Sequence, residues 1–309
     1  MLVYLPIAEL PISVFMLLGL SAIVGFISGL FGIGGGFLLT PLLIFLGVPP
    51  AVAVATSAAQ ITASSTTGAL AAWRKNMLDL KLAAVLIAGG VCGTGLGVLF
   101  FNAMRRLGQL ELIVTVGYVT LFSVVGSLML MESLRALTRR RKSGHAIVRK
   151  RAGLHHPMLG LPLRMRFPRS GLYASVIPIM GLAALIGFVG AVLGIGGGFM
   201  MVPAIIYLLR IRTSLAVGTS LFQILVTMAA ATLFHAMSNQ SVDIVLALLL
   251  IIGGSAGAQF GARAGHNMKS DSFRLLLALL VLGVGIRFGF ELFVQPGDPF
   301  SIVKQDPAP

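Results

Sequence analysis

The chain has 309 residues, of which 57% are hydrophobic and only 10% charged, with a mean hydropathy of +0.99. This composition excludes an ordinary soluble domain. The apolar runs reach the ~20 residues a spanning helix needs and are rich in Gly, Ala, Ser and Thr, without the alternation of a membrane β-barrel. The net charge of +14 does not point to nucleic acid, because 11 of the 23 Lys and Arg residues lie between Arg135 and Arg169. That clustering suits a cytoplasmic loop lying near anionic lipid.

In chain order, the first half is predicted to hold apolar segments at 11–31, 37–48, 51–72, 80–101 and 109–131. No Lys or Arg precedes Arg74, so the charged start of a cleaved signal peptide is missing and the first run is expected to be retained. The second half repeats the pattern at 173–193, 199–209, 214–237, 243–262 and 272–293. The expected division is a first transmembrane repeat at 1–131 and a basic cytoplasmic linker at 132–172, then a second repeat at 173–295 and a polar tail at 296–309. Asp79 and Asp243 open the fourth segments, where a carboxylate suits a helix N-terminus. The lone Cys92 lies among glycines and is read as a packing residue.

The halves repeat one another at matched positions. The run Gly32-Ile33-Gly34-Gly35-Gly36-Phe37 returns unchanged as Gly194-Ile195-Gly196-Gly197-Gly198-Phe199, and Pro41 returns as Pro203. Ala53-Val54-Ala55-Thr56-Ser57-Ala58-Ala59-Gln60-Ile61 returns as Ala216-Val217-Gly218-Thr219-Ser220-Leu221-Phe222-Gln223-Ile224. Gly89, Gly90, Gly93 and Gly97 match Gly253, Gly254, Gly257 and Gly261. The fold class expected is therefore all-α integral membrane, with two repeats of about five apolar segments, each containing a half-helix after a glycine break.

Charge placement predicts that the repeats are inverted. Arg74, Lys75 and Lys81 follow the third segment of the first half, whereas Arg210 and Arg212 precede the third segment of the second. Matching loops with opposite bias face opposite sides. With the central basic loop inside, both termini fall outside, and Arg105 and Arg106 form the one discordant loop.

Helices broken by glycine at matching places in a duplicated membrane unit point to a transporter's binding site. A helix restarting at Gly36 or Gly198 offers unpaired N–H groups and a positive dipole end, which suit an anion. The candidate substrate-binding residues are Gly34, Gly35, Gly36, Gly196, Gly197 and Gly198. Thr56, Ser57, Gln60, Thr219, Ser220 and Gln223 join them as neutral donors inside the third segments. The alternative roles are close packing for the glycines and interhelical hydrogen bonds for the polar residues. No Asp or Glu sits mid-segment, no metal-ligand cluster is evident, and the glycine run lacks the strand–turn–helix setting of a dinucleotide fingerprint. No catalytic residue, metal or cofactor is expected. His235, near a segment end, is read as structural.

The duplicated GIGGGF run, the following Pro, the A-V-x-T-S-x-x-Q-I stretch and the loop Trp73-Arg74-Lys75-Asn76-Met77-Leu78-Asp79 together resemble the sulfite exporter TauE/SafE family. The resemblance spans the chain apart from the basic linker and the tail after Gln295. It implies transport of sulfite or another small, often sulfur-containing anion such as an organosulfonate. The expected protein is thus a multi-pass transporter of the bacterial inner membrane, working by alternating access. Its partners are a small anion and membrane lipid, not nucleic acid, and homo-oligomerisation is left open. The competing readings are an anion channel, a lipid-modifying membrane enzyme, and a regulatory or scaffold protein acting through the basic linker.

Overall fold

A computed structural model of the chain describes residues 2–31, 36–142, 163–265 and 270–293. Two compact units emerge, one from residues 1–111 and 147–268, the other from 112–146 and 269–309. Among the described residues five helices are long and apolar enough to cross a bilayer, and the all-α membrane class expected from composition holds.

The first unit begins with a feature that hydropathy does not reveal. Strands β1 (Leu2–Leu5) and β2 (Leu10–Ser13) form an antiparallel hairpin, with Leu2 opposite Ser13 and Leu5 opposite Leu10. It leads into α1 (Val14–Phe31), α2 (Gly36–Phe45), α3 (Pro50–Arg74) and α4 (Leu80–Arg106). A second hairpin, β3 (Arg164–Phe167) with β4 (Leu172–Ser175), has the same register. It leads into α6 (Val176–Leu193), α7 (Gly198–Leu208), α8 (Thr213–Asn239) and α9 (Ile244–Gly265). The second unit holds most of α5 (Leu110–Lys142) and α10 (Ser270–Phe293). There Tyr118 stacks on Phe288 at 5.1 Å, and Gly126 lets α5 close on Leu282.

The hairpins repeat as faithfully as the helices. Leu5-Pro6 corresponds to Phe167-Pro168, and both Leu5 and Phe167 are buried. Glu9 and Gly171 occupy equivalent left-handed turn positions, with φ of 54° and 62°. The second hairpin lies within the stretch read from sequence as the end of the basic linker. Its Arg169 is structural, with Nη1 donating to Leu78 O at 2.8 Å.

Helix packing rests on small residues and links one repeat to the other. On α1 and α9, Gly25 lies against the Gly254 backbone, Gly257 against Ala22 and Gly261 against Phe26. On α4 and α6 the equivalent contacts recur, with Gly187 against Gly90, Gly93 against Ala184 and Gly97 against Phe188. A side-chain carbon at Gly25, Gly257, Gly261, Gly187, Gly93 or Gly97 would overlap backbone, so the close approach accounts for these glycines directly. In steps of four, Gly253, Gly257 and Gly261 meet Leu18, Ala22 and Phe26, and Gly89, Gly93 and Gly97 meet Met180, Ala184 and Phe188, so the two helices of each pair are parallel. Between α3 and α8 they run oppositely: Ala72 meets Gly218 and Gly68 meets Leu221.

Helix α3 is 25 residues long yet less apolar than its neighbours α2, α8 and α9. Its hydroxyls turn back on their own helix: Thr62 donates to Ala58 O, Ser64 to Ile61 O, Thr66 to Thr62 O and Thr67 to Ser64 O. Such local bonds let a hydroxyl-rich segment lie in a bundle without seeking water.

Candidate functional site

Two carboxylates organise the first unit. Asp79 caps α4, its Oδ1 accepting from Leu82 N at 3.3 Å, and Asp243 caps α9, its Oδ1 accepting from Leu246 N at 3.0 Å. Both are buried. Each second oxygen holds a hairpin turn: Asp79 Oδ2 accepts from Ser170 N and Oγ at 2.9 and 2.7 Å, and Asp243 Oδ2 accepts from Ile7 N at 3.0 Å. Their backbone N–H groups donate across the repeats, Asp79 N to Thr219 Oγ1 at 3.2 Å and Asp243 N to Thr56 Oγ1 at 3.1 Å. A single Asp therefore joins a helix start, a hairpin and the polar third helix of the other repeat. Sequence reading found the caps and missed the hairpins. The signal was present in Leu5-Pro6-Ile7-Ala8-Glu9-Leu10 against Phe167-Pro168-Arg169-Ser170-Gly171-Leu172.

The second glycine run forms the turn between α6 and α7. Gly194, Gly196 and Gly197 all adopt positive φ, at 68°, 76° and 69°. Three left-handed residues within four are readily accessible only to glycine. Gly194 N closes α6 onto Gly190 O at 2.8 Å, and Gly197 O accepts from Met200 N and Met201 N. The N–H groups of Gly196, Gly197, Gly198 and Phe199 have no acceptor among the described residues. The whole turn is buried. In a water-poor interior an unpaired backbone group costs several kcal/mol, so donors in such a turn need a partner.

Both repeats build the walls of this turn. Phe37 and Phe199, the equivalent ends of the glycine runs, stack at 4.8 Å with planes 5° apart. Thr40 Oγ1 on α2 donates to Gly194 O at 3.0 Å. Gly36 and Gly196 both abut Ile61 on α3, and Gly194 abuts Val54. Gly34 and Gly35 lie outside the described residues.

The polar residues of the third helices separate by face. Val54 and Ile61 turn toward the glycine residues, whereas Thr56 reaches the start of α9 and Gln60 lies against Gly254. On α8, Thr219 reaches Asp79, and Gln223 lies against Gly90, whose carbonyl packs on Gly187 of α6. Gln223 Nε2 donates to Thr227 Oγ1 at 3.2 Å, while that hydroxyl donates to the backbone. Gln60 Oε1, Gln223 Oε1 and Ser57 Oγ are buried without a partner, and Ser220 Oγ donates to Val217 O at 3.0 Å. Thr56 and Thr219 thus carry an architectural bond, and the two glutamines carry unmet hydrogen-bonding capacity. His235 is structural in geometry, with Nε2 at 3.1 Å from Ala191 O and its ring edge-on to Phe101. Among the described residues no group of His, Cys, Asp and Glu could hold a metal ion.

The family profile described as Sulfite exporter TauE/SafE matches residues 17–288. The chain belongs to the sulfite exporter TauE/SafE family. A probable membrane transporter protein of Bacillus subtilis (strain 168), YunE, is 26% identical over 287 residues, covering 90% of this chain and 98% of that protein. A probable membrane transporter protein of Xylella fastidiosa (strain 9a5c) is 29% identical over 278 residues, covering 89% and 94%. Sulfite exporter TauE/SafE family protein 5 of Arabidopsis thaliana is 35% identical over 120 residues, covering 38% of this chain and 26% of its own. No solved structure matches the chain. This TauE/SafE member is an integral membrane transporter.

Proposed function

We propose that this transporter moves sulfite or another small sulfur-containing anion, such as an organosulfonate, across a bacterial inner membrane by alternating access of two inverted repeats. The observation that carries the reading is the buried α6–α7 turn, where four consecutive N–H groups lack acceptors among the described residues at the start of α7. An oxyanion is the ligand such a cluster suits, because aligned N–H dipoles offset negative charge without a buried countercharge. Gly196, Gly197 and Gly198 supply backbone donors, and Gln60 and Gln223, whose buried amide oxygens lack a partner, are further candidates on the third helices. Gly34, Gly35 and Gly36 would play the equivalent part in the first repeat.

Inversion is supported by the order of contacts. Helix α1 runs parallel to α9 and α4 parallel to α6, while the equivalent helices α3 and α8 oppose each other. A two-fold exchange with reversed sense gives the site two alternative routes of access. The experiment is counterflow in proteoliposomes with sulfite, sulfate, thiosulfate, an alkanesulfonate and acetate. Saturable exchange of sulfite or the sulfonate, and not of acetate, is expected. Flux that rises linearly with concentration would establish a channel instead. Removing residues 143–162 tests the scaffold reading, and the cut spares the β3–β4 hairpin that Asp79 holds. A transporter core keeps its flux after that deletion.

A further inference from the structure

The discordant pair Arg105-Arg106 has a place in the fold that topology rules do not supply. At the ends of α4 and α8 lies an open cleft of about 330 Å³ lined by Asn102, Arg105, Arg106, Ser238 and Asn239. Two arginines line it and no carboxylate is among its lining residues. Arg105 spends one N–H on Asn239 O, at 3.0 Å, and a guanidinium carries five. Asn102 Oδ1 is buried without a partner, so the cleft can also bind a donor such as water.

The floor of the cleft is fixed by a short relay. A carbonyl only accepts, so His235 Nε2 carries the proton toward Ala191 O, and Nδ1 is left to accept from Asn239 Nδ2 at 3.1 Å. Ala191 belongs to the last turn of α6, three residues before the glycine turn. The cleft wall is therefore tied to the strand of backbone that enters the candidate substrate site.

We propose that this cleft is a second anion site, which holds a small hydrated oxyanion at the protein surface. Its role as a staging point for passage rests on the transport reading above, whereas binding in the cleft does not. Convergent Arg side chains with neutral amides and a hydroxyl suit a sulfur or phosphorus oxyanion. The competing role is the capping of two helix C-termini, to which basic residues are also attracted.

The test uses the full chain with Cys92→Ser and Ser238→Cys, purified in detergent. Labelling rates are measured with an anionic sulfonatoethyl and a cationic trimethylammonioethyl methanethiosulfonate, each normalised to its rate with free mercaptoethanol. A focused positive site should favour the anionic reagent by about tenfold. That preference should fall toward unity with Arg105→Gln and Arg106→Gln combined. Sodium sulfate, against sodium chloride at equal ionic strength, should slow labelling only where both arginines remain. A preference untouched by the double substitution, or sulfate protection that survives it, overturns the proposal. So does a variant that loses thermal stability while its labelling is unchanged, since that assigns the arginines to helix capping. Neither readout depends on flux, so a failure of the sulfite-transport reading would leave the labelling result standing by itself.

Discussion

Gly197→Ala tests the glycine turn most directly. Gly197 has φ of 69°, and an added Cβ would lie 2.8 Å from Ile186 Cγ2. The left-handed conformation costs a non-glycine residue roughly 1–2 kcal/mol. Relief of the overlap by a small shift of Ile186 brings the total to about 2–3 kcal/mol, at the scale of other overpacked sites. A domain stable by about 5–15 kcal/mol still folds with that loss. If the same strain must be overcome to form the bound turn, affinity falls by about 30-fold or more, because each 1.4 kcal/mol is tenfold. Gly181→Ala is the control: it lies on α6 with open space around it, and it should stabilise by roughly 0.5–1 kcal/mol and leave binding alone. The assay is calorimetric titration of purified protein with sulfite, alongside its thermal unfolding. In a double-mutant cycle, Ile186→Ala should recover the overlap share and leave the backbone share. Folded Gly197→Ala protein that binds sulfite as tightly as wild type refutes the reasoning.

Gln223→Leu removes a buried carbonyl oxygen without a partner, so thermal stability should hold or rise while sulfite counterflow falls; equal loss of both would make Gln223 a packing residue. Thr56→Ala strips the acceptor from Asp243 N, and an unmet buried N–H should cost roughly 1–3 kcal/mol in denaturant unfolding, with Thr56→Ser restoring most of it. In a Cys92→Ser background, Lys75→Cys and Gln240→Cys occupy exposed positions at the ends of α3 and α8. An impermeant thiol reagent should reach them from opposite faces of a sealed vesicle, and labelling from one face would end the inverted arrangement.

The helices were legible because each bears a long apolar run, and the repeat was legible because its glycines are held in place by backbone contact. Asp79 and Asp243 announced themselves as caps through position alone. The hairpins were not legible, because four-residue strands beside a spanning helix add too little hydropathy contrast, and Arg164, Arg166 and Arg169 looked like linker charge. Sequence placed Thr56, Ser57 and Gln60 inside the third segment but could not say which neighbours they meet. Ile61, an unremarkable apolar residue in sequence, proved to be the α3 side chain against the glycine residues. Nothing local marks such a role, since it depends on which helices the fold places around α3.

The bond from Asp79 N to Thr219 reaches 140 residues along the chain. During synthesis, α4 is therefore made before the residues that meet its starting amide and its glycine face. Its partners α6 and α8 are made only after the basic segment has left the ribosome. The first repeat is therefore expected to pass through an incomplete insertion intermediate, because its most extensive helix contacts, α1 with α9 and α4 with α6, cross to the second. A truncation after α5 should accordingly insert into the membrane yet remain open to proteases and quality control. Supplying the second repeat as a separate polypeptide should rescue it.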